Sequence, residues 1–228
     1  MAKSKRKKRV KFKVKNIIIL LVIFLFICLM GYCFLMMPIE NIYINGNKIL
    51  DDDTIMEIID IDEYPSFILT NKYNMKKKLK SNKYINEVTV KKKIGNIFEI
   101  DILEYKVIVS NKDGMVMLSN GDILENDYNI YDLPLLINDI NDVEVYKLFC
   151  IKMEKLDSDI LRQISEIEYS PVSVDNERFL FYMNDGNLVH VTLTKLDKLN
   201  KYNKIKDKLE GKIGTIYLDS GDYVELKK

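Results

Sequence analysis

The 228-residue sequence has no tryptophan, one histidine and three cysteines. Hydrolytic triads of the serine or cysteine type need a histidine as base, and His190 lies in an apolar stretch, away in sequence from any serine or cysteine suited to attack. The sequence FCIK around Cys150, the one cysteine beyond the N-terminal apolar run, predicts a packed thiol. A zinc site of the usual kind needs more ligands than these two, and no glycine-rich phosphate loop is present. The sequence therefore predicts no cofactor, no metal and no nucleophilic catalysis.

The features of a removable leader are also scarce. Ala2 is the only alanine, so the small-residue cleavage site of a signal peptide is missing. The apolar run from Ile17 to Met37 contains no charge and no proline. Its length of about 21 residues is enough helix to cross roughly 30 Å of hydrocarbon. The sequence predicts a retained transmembrane helix over residues 17–37.

Acidic residues are absent from the N-terminal tail, residues 1–16. A flank this basic stays on the cytoplasmic side of a membrane. The chain beyond this tail contains 26 of the 35 Lys and Arg and all 34 Asp and Glu. Its net charge of −8 suits the outer side of the membrane. Nucleic-acid binding is the alternative, but a cation cluster beside an apolar helix more often sets topology. The topology-setting residues are Lys3, Lys5, Arg6, Lys7, Lys8, Arg9, Lys11, Lys13 and Lys15.

Short strands and helices are predicted after the apolar run. Alternation predicts a strand over residues 39–44, and three aspartates lead into a helix that ends near Ile61. Asn71 caps a second helix, residues 72–80, with Tyr73, Met75 and Leu79 facing inward. Two strands follow, one that includes Val90 and one over residues 97–109, separated by a turn at residues 95–96.

This order of strand, helix, helix, strand and strand, directly after a membrane anchor, resembles a POTRA module. Three stretches make the chain similar to the FtsQ/DivIB family of bacterial cell-division proteins. They are IENIYINGNKILDDDTI, the bend SNKYI that leads into VTVKKK, and IFEIDILEYKVIV, which carries Glu104. Farther along, KDGMVM, LPLL and FLFYMNDGNLVHV resemble the second, larger β-domain of the family.

The rest of the second domain is predicted from spacing. A capping box at Asn141 and Glu144 begins a helix that ends near Leu156, and a second helix covers residues 195–210. Strands over residues 213–218 and 223–226 form the last hairpin. The predicted fold class is α+β: one N-terminal transmembrane helix, a POTRA domain (β-α-α-β-β), then a larger mixed β-sheet domain with packed helices. The predicted domains are a basic tail (1–16), the helix (17–37), the POTRA domain (38–109) and the β-domain (110–228).

The resemblance implies a non-enzymatic protein with one membrane-spanning helix in the division machinery. Its partners would be FtsL and DivIC- or FtsB-like proteins, with a septal penicillin-binding protein as a further partner, and it would regulate septal peptidoglycan synthesis from the cell membrane. An open sheet can bind a partner by strand addition. We predict such contacts at Tyr217, Leu218, Tyr223 and Val224 in the last hairpin. A second hypothesis places them in the POTRA domain, at Lys76, Lys77, Val88 and Val90.

The alternative function is an envelope enzyme that acts on peptidoglycan through paired carboxylates. Glu99 and Asp101 share one face of their strand, and Glu99 with Glu104 is a candidate acid/base pair. Sequence spacing does not give the distance between these carboxyl groups in space. Their structural alternative is a solvated strand face.

Overall fold

The computed structural model describes residues 14–61 and 65–227. It begins with α1, Val14–Leu35, a 22-residue helix whose side chains are exposed on all sides. Within those residues, α1 is the one helix long and apolar enough to cross a membrane. The apolar helix predicted from the sequence is therefore confirmed. Of the predicted topology-setting cations, Lys15 lies in α1, whereas those from Lys3 to Lys13 lie outside the described residues.

The chain forms two compact units. The first comprises the chain up to Gly46, Asp52–Asn82 and Glu87–Ile102. The second comprises Asn47–Asp51, Lys83–Asn86 and the remainder from Leu103.

The first unit has the predicted order of elements. These are β1 (Asn41–Asn45), α2 (Asp52–Ile59), α3 (Lys72–Lys80), β2 (Ile85–Lys93) and β3 (Ile97–Glu104). The strands form a sheet in the order β1-β3-β2, and β1 is parallel to β3 with Asn41 beside Ile97. The alternation seen in the sequence of β3 is the alternation of its burial, because every second side chain of a strand faces the core.

Helix α3 confirms its predicted start and corrects one of its inward-facing residues. The Asn71 side chain accepts a hydrogen bond from the Tyr73 backbone N at 2.8 Å, so Asn71 is the N-cap. Met75 and Leu79, four residues apart, are buried on one stripe. Tyr73 was predicted to face inward and is 71% exposed, because it lies in the first turn, off that stripe.

The long strand predicted over residues 97–109 is two strands. β3 ends at Glu104, and β4 (Val107–Asn111) begins a different sheet. The break is stabilised on both sides. The Glu104 carboxylate accepts the backbone N–H groups of residues 48–50 at 2.8, 2.8 and 3.0 Å, and Lys106 Nζ donates to the carbonyl of Leu156.

The second unit contains a nine-stranded sheet in the order β12-β11-β10-β9-β8-β7-β4-β5-β6. It is mixed: β10 is parallel to β11 and antiparallel to β9, and β7 is parallel to both β4 and β8. The strands after β4 are β5 (Val116–Leu118), β6 (Ile123–Leu124), β7 (Leu135–Leu136), β8 (Ile164–Tyr169), β9 (Arg178–Met183), β10 (Leu188–Thr192), β11 (Gly214–Tyr217) and β12 (Tyr223–Leu226). The helices are α4 (Val143–Glu154), α5 (Ser158–Leu161), a 3-10 helix (Leu193–Lys201) and α6 (Tyr202–Lys208).

Helices and the inner face of this sheet enclose one apolar core. Phe149 of α4 stacks on Phe179 of β9 with ring centres 5.1 Å apart, and Tyr202 of α6 is fully buried. Cys150 is 3% exposed, and burial raises the pKa of its thiol to about 11, so it packs as a small, protonated side chain. The predicted α+β fold class is thus confirmed.

Two helix predictions in this unit are wrong in detail. The N-cap of α4 is Asp142, whose carboxylate accepts the N–H groups of Glu144 and Val145, and not Asn141. The single helix predicted over residues 195–210 is a 3-10 helix followed by α6. The 3-10 helix follows β10 directly. Its residues Leu193, Leu196 and Leu199 are buried, at the spacing of three that a 3-10 helix places on one face.

Candidate partner-binding edge

Strand β12 is one end of the nine-stranded sheet. It pairs with β11 from Gly214 beside Leu226 to Tyr217 beside Tyr223, and in the part of the chain that the structure describes no strand lies along its other side. Lys227 N donates to Ile213 O at 2.9 Å. Because the pairing in an antiparallel ladder alternates, the N–H and C=O groups of Val224 and Leu226 point away from β11. β12 therefore offers backbone groups to an incoming strand.

An aromatic column covers the outer face of this end of the sheet. Tyr217 stacks on Tyr223 with ring centres 4.6 Å apart, and on His190 at 5.1 Å. The three residues are direct cross-strand neighbours, since His190 pairs with Tyr217 and Tyr217 with Tyr223. Tyr223 is 44% exposed, so the column ends in an accessible ring at the edge strand.

A buried ion pair holds the turn of the last hairpin. Arg178 Nε lies 2.7 Å from Asp219 Oδ2, and both side chains are mostly buried. Burial opposes ionisation of Asp219, but the hydrogen bonds from Arg178 and Ser220 hold its pKa below the ordinary value. The Lys195 Nζ donates to the Asp219 carbonyl at 2.7 Å. The turn between β11 and β12 is thereby fixed to β9 and to the 3-10 helix.

His190 shares the guanidinium of Arg178. Its Nδ1 lies 2.7 Å from the Arg178 Nη2, a donor, so Nδ1 accepts and the ring is neutral. Burial, and then the Arg178 charge, lower the pKa of His190. This arrangement fits a structural histidine rather than a general base, because its Nδ1 and one ring face are already engaged.

A groove lies on the other side of the hairpin, between it and the helices. It encloses about 440 Å³. The floor is apolar and the rim is cationic. The floor is formed by Ile205, Leu209, Ile216, Leu218 and Val224, with Tyr223 at its side. The rim carries Lys201, Lys204, Lys208 and Lys198, the last of which is paired with Asp222 at 2.6 Å.

The four residues predicted in this hairpin lie at the aromatic column, at the groove, or at both. Tyr217 and Tyr223 belong to the outer aromatic column, and Leu218, Tyr223 and Val224 line the groove. Leu218 is 4% exposed. The contact predicted at Leu218 stays a prediction, because this side chain is mostly buried but also lines the floor of the groove.

The four residues predicted in the POTRA domain are also divided. Val88 and Val90 are 3% and 7% exposed, so their side chains belong to the core and only their backbone lies on an edge strand. Lys76 and Lys77 are exposed on α3.

The candidate catalytic carboxylates each have a structural partner. Glu99 pairs with Lys93 at 2.7 Å, and Asp101 with Lys91 at 2.8 Å. The hydrogen bond from Lys91 lowers the pKa of Asp101, the opposite of what a general acid needs. Glu104 is saturated by backbone N–H groups and, five residues from Glu99, lies on the other face of the strand. Among the residues that the structure describes, no three His, Cys, Asp or Glu side chains converge to hold a metal.

Sequence reasoning missed the Arg178–Asp219 pair and the lysine rim. The pair joins residues 41 positions apart, and no local pattern connects them. The rim could have been found, because Lys198, Lys201, Lys204 and Lys208 recur at spacings of three and four, which indicates one helix face.

Comparisons with known proteins decide the family. A family described as the POTRA domain, FtsQ-type, matches residues 37–105. The cell division protein DivIB of Bacillus subtilis (strain 168) is 30% identical over 231 residues, which cover 97% of this chain and 88% of the relative. The chain belongs to the DivIB family. DivIB of Bacillus anthracis is likewise 30% identical over 234 residues, covering 98% of this chain and 87% of that protein.

A solved DivIB structure also resembles the chain. It is the trans isomer of the major extracytoplasmic domain of DivIB from Geobacillus stearothermophilus, 27% identical, with a TM-score of 0.38. The match covers 47% of this chain and 95% of the solved one. The FtsQ/DivIB resemblance seen in the sequence is confirmed by the relatives and the POTRA family.

Proposed function

We propose that this DivIB-family chain is a non-enzymatic scaffold of cell division, and that strand β12 is its docking edge. It crosses the cell membrane once through α1, with the basic tail in the cytoplasm and both folded units outside, enriched at the septum. It holds FtsL and DivIC- or FtsB-like proteins there, with a septal penicillin-binding protein as a further partner, and regulates septal peptidoglycan synthesis. The observation that carries this proposal is the open edge of β12.

Strand addition at β12 uses three kinds of contact. The outward N–H and C=O groups of Val224 and Leu226 pair with the partner backbone. Alternate side chains of the added strand then face the aromatic column or the groove. The apolar floor and lysine rim of the groove favour a segment that combines apolar and acidic residues.

The enzyme alternative finds no support in the carboxylates. Glu99, Asp101 and Glu104 are each engaged by a lysine or by backbone N–H groups. The POTRA contacts remain a proposal of the same class as β12. There, the exposed Lys76 and Lys77 would attract an acidic surface of a partner.

A pair of variants at Leu226 tests the docking edge in the full-length protein. Leu226→Pro removes an outward-pointing N–H, whereas Leu226→Ala removes the side chain and keeps the N–H. Co-purification of FtsL and DivIC from membranes should fall roughly tenfold with proline, the equivalent of about 1.4 kcal/mol, and stay near normal with alanine. Equal capture by the two variants, both folded by circular dichroism, would contradict docking at β12.

Orientation is tested separately. Protease added to intact protoplasts should digest both folded units and spare the basic tail. Protection of the folded units would place them in the cytoplasm and overturn the proposal.

A further inference from the structure

The end of α1 is bonded directly to the first unit. Ser66 Oγ donates to the carbonyl of Leu35, the last residue of α1, and Phe67 N donates to Met37 O at 2.8 Å. Ile39 N donates to Pro65 O at 3.0 Å. No free linker therefore separates the helix from the folded unit.

The turn between β2 and β3 also contacts the chain that leaves α1. Asn96, in the turn between β2 and β3, accepts a hydrogen bond from Glu40 N at 3.0 Å. Lys92, at the end of β2, donates through Nζ to the carbonyls of Phe67 and Ile68. The β2–β3 turn and the segment from Pro65 to Thr70 are thus joined to each other and to the chain that leaves α1.

Large apolar side chains protrude from this region. Ile94, at the tip of the β2–β3 turn, is 101% exposed, the same degree of exposure as in an extended chain. Leu69 is 60% exposed, and its backbone N donates to Ser66 Oγ, the group that binds the end of α1. Tyr73 is 71% exposed, and the Lys72 ammonium lies 5.3 Å from the centre of its ring. We name Leu69, Lys72, Tyr73, Lys92 and Ile94 the membrane-side rim.

The length of α1 places this rim at the membrane surface. A helix of 22 residues is about 33 Å long, close to the roughly 30 Å of a hydrocarbon core. Leu35 therefore lies near the boundary between acyl chains and head groups. Residues bonded to Leu35, Met37 and Glu40 lie within a few ångströms of that boundary. Tyrosine and lysine are the side chains that suit this zone, because a polar group can reach the head groups while the rest stays apolar.

We propose that the membrane-side rim is a lipid-contact surface. Ile94, Leu69 and the Tyr73 ring enter the boundary between head groups and acyl chains, and the Lys72 ammonium lies beside lipid phosphates. Continuity with α1 and the combination of apolar and cationic side chains favour a bilayer over a protein as the occupant. This contact holds the first unit in one orientation on the membrane. The inference rests on α1 crossing the membrane, which is part of the proposed function.

The absence of tryptophan supplies the experiment, because one introduced tryptophan is a unique fluorophore. Three variants of the full-length chain are reconstituted in phosphatidylglycerol-containing nanodiscs, with and without tail-brominated lipid. Ile94→Trp probes the rim and Phe24→Trp probes α1. Asp53→Trp is the control at the opposite end of the unit, since β1 begins beside the rim and runs toward the loop that precedes α2.

The expected result is at least twofold quenching by brominated lipid, with blue-shifted emission, for Ile94→Trp and Phe24→Trp, and neither effect for Asp53→Trp. Adding Lys72→Glu to Ile94→Trp should weaken the quenching. Quenching of Phe24→Trp alone would overturn the lipid contact and leave the membrane anchor intact. An unquenched Phe24→Trp would overturn the anchor as well. Equal quenching at Asp53 and Ile94 would also contradict the rim, because contact would not be confined to it.

Discussion

The two ends of the nine-stranded sheet are built differently. β6 is two residues long, and the chain that follows it is tied to its own surroundings. Tyr84 donates its hydroxyl to the Glu125 carbonyl at 2.9 Å, and Asn126 exchanges two hydrogen bonds with the backbone of Ile130. β12 is four residues long, and its outward groups face no other strand of the described chain.

This difference favours strand addition at the β12 end of the sheet over the β6 end. A short edge whose continuation is held internally is a poor template for strand addition. A longer edge between an aromatic column and a cationic groove offers backbone pairing and two specific side-chain environments. The following predictions test whether partner binding at β12 depends on the Arg178–Asp219 pair, on the aromatic column and on a neutral His190.

The largest effect is expected from the ion pair that fixes the β12 hairpin. Arg178→Leu should lower the free energy of unfolding by about 3 kcal/mol, because it leaves the mostly buried Asp219 carboxylate without its partner. Urea unfolding of the detergent-solubilised chain measures the change. The matched control is Arg162→Leu, which breaks an exposed pair with Asp159 and should cost less than about 0.5 kcal/mol. Equal losses would mean that Arg178 does not stabilise the hairpin.

A smaller effect is expected when the aromatic column is shortened. Tyr223→Ala should weaken capture of FtsL and DivIC by about 2 kcal/mol, or roughly thirtyfold, because an exposed tyrosine at an edge is a typical binding anchor. Ile123→Ala removes an equally exposed side chain from β6 and should leave capture unchanged. Loss of capture with Ile123→Ala instead would place the docking edge at β6 and contradict docking at β12.

Much of this framework could be predicted from the sequence, because it depends on local physics. The alternation of β3, the Asn71 cap and the order of elements in the first unit follow from side-chain periodicity and from backbone hydrogen bonding near each residue. The position of the last hairpin was predicted in the same way. These features need no knowledge of distant residues.

The remaining features depend on contacts between distant residues. The strand predicted over residues 97–109 breaks because Glu104 accepts N–H groups from a loop more than fifty residues earlier. Leu218 was predicted as an edge contact, but its side chain is 4% exposed because it packs in the core of the second unit beside the groove. Periodicity gives the two faces of a strand without telling which face is buried. The local sequence around Glu104 likewise does not show that its carboxylate accepts backbone N–H groups from a distant loop.

Acidification should loosen the β12 end. The lowered pKa of His190 means that, below the ordinary value of 6.5, the unfolded chain binds this proton more readily than the folded chain. The contribution of neutral His190 to the free energy of unfolding is therefore complete above that pH and is lost as the pH falls. A protonated ring would stand beside the Arg178 guanidinium, with Asp219 and Glu168 only partly offsetting the repulsion. The free energy of unfolding should fall between about pH 7 and about pH 5.

The control for this pH dependence is His190→Gln, whose side-chain oxygen can accept from Arg178 and does not titrate. It should flatten the pH dependence in that interval. A slope that persists unchanged in His190→Gln would assign it to other groups.

The smallest effect is expected from Lys76 and Lys77 of α3, because both side chains are exposed and water and salt screen their charges. Lys76→Glu with Lys77→Glu should lower septal enrichment of a fluorescent fusion about twofold to threefold, because exposed charges steer association more than they hold a complex. The control is Lys112→Glu with Lys155→Glu, the same charge change on exposed lysines of the second unit. If both pairs reduce enrichment equally, net charge is responsible and α3 has no specific role. If neither does, recruitment depends on the β12 edge without help from the POTRA lysines.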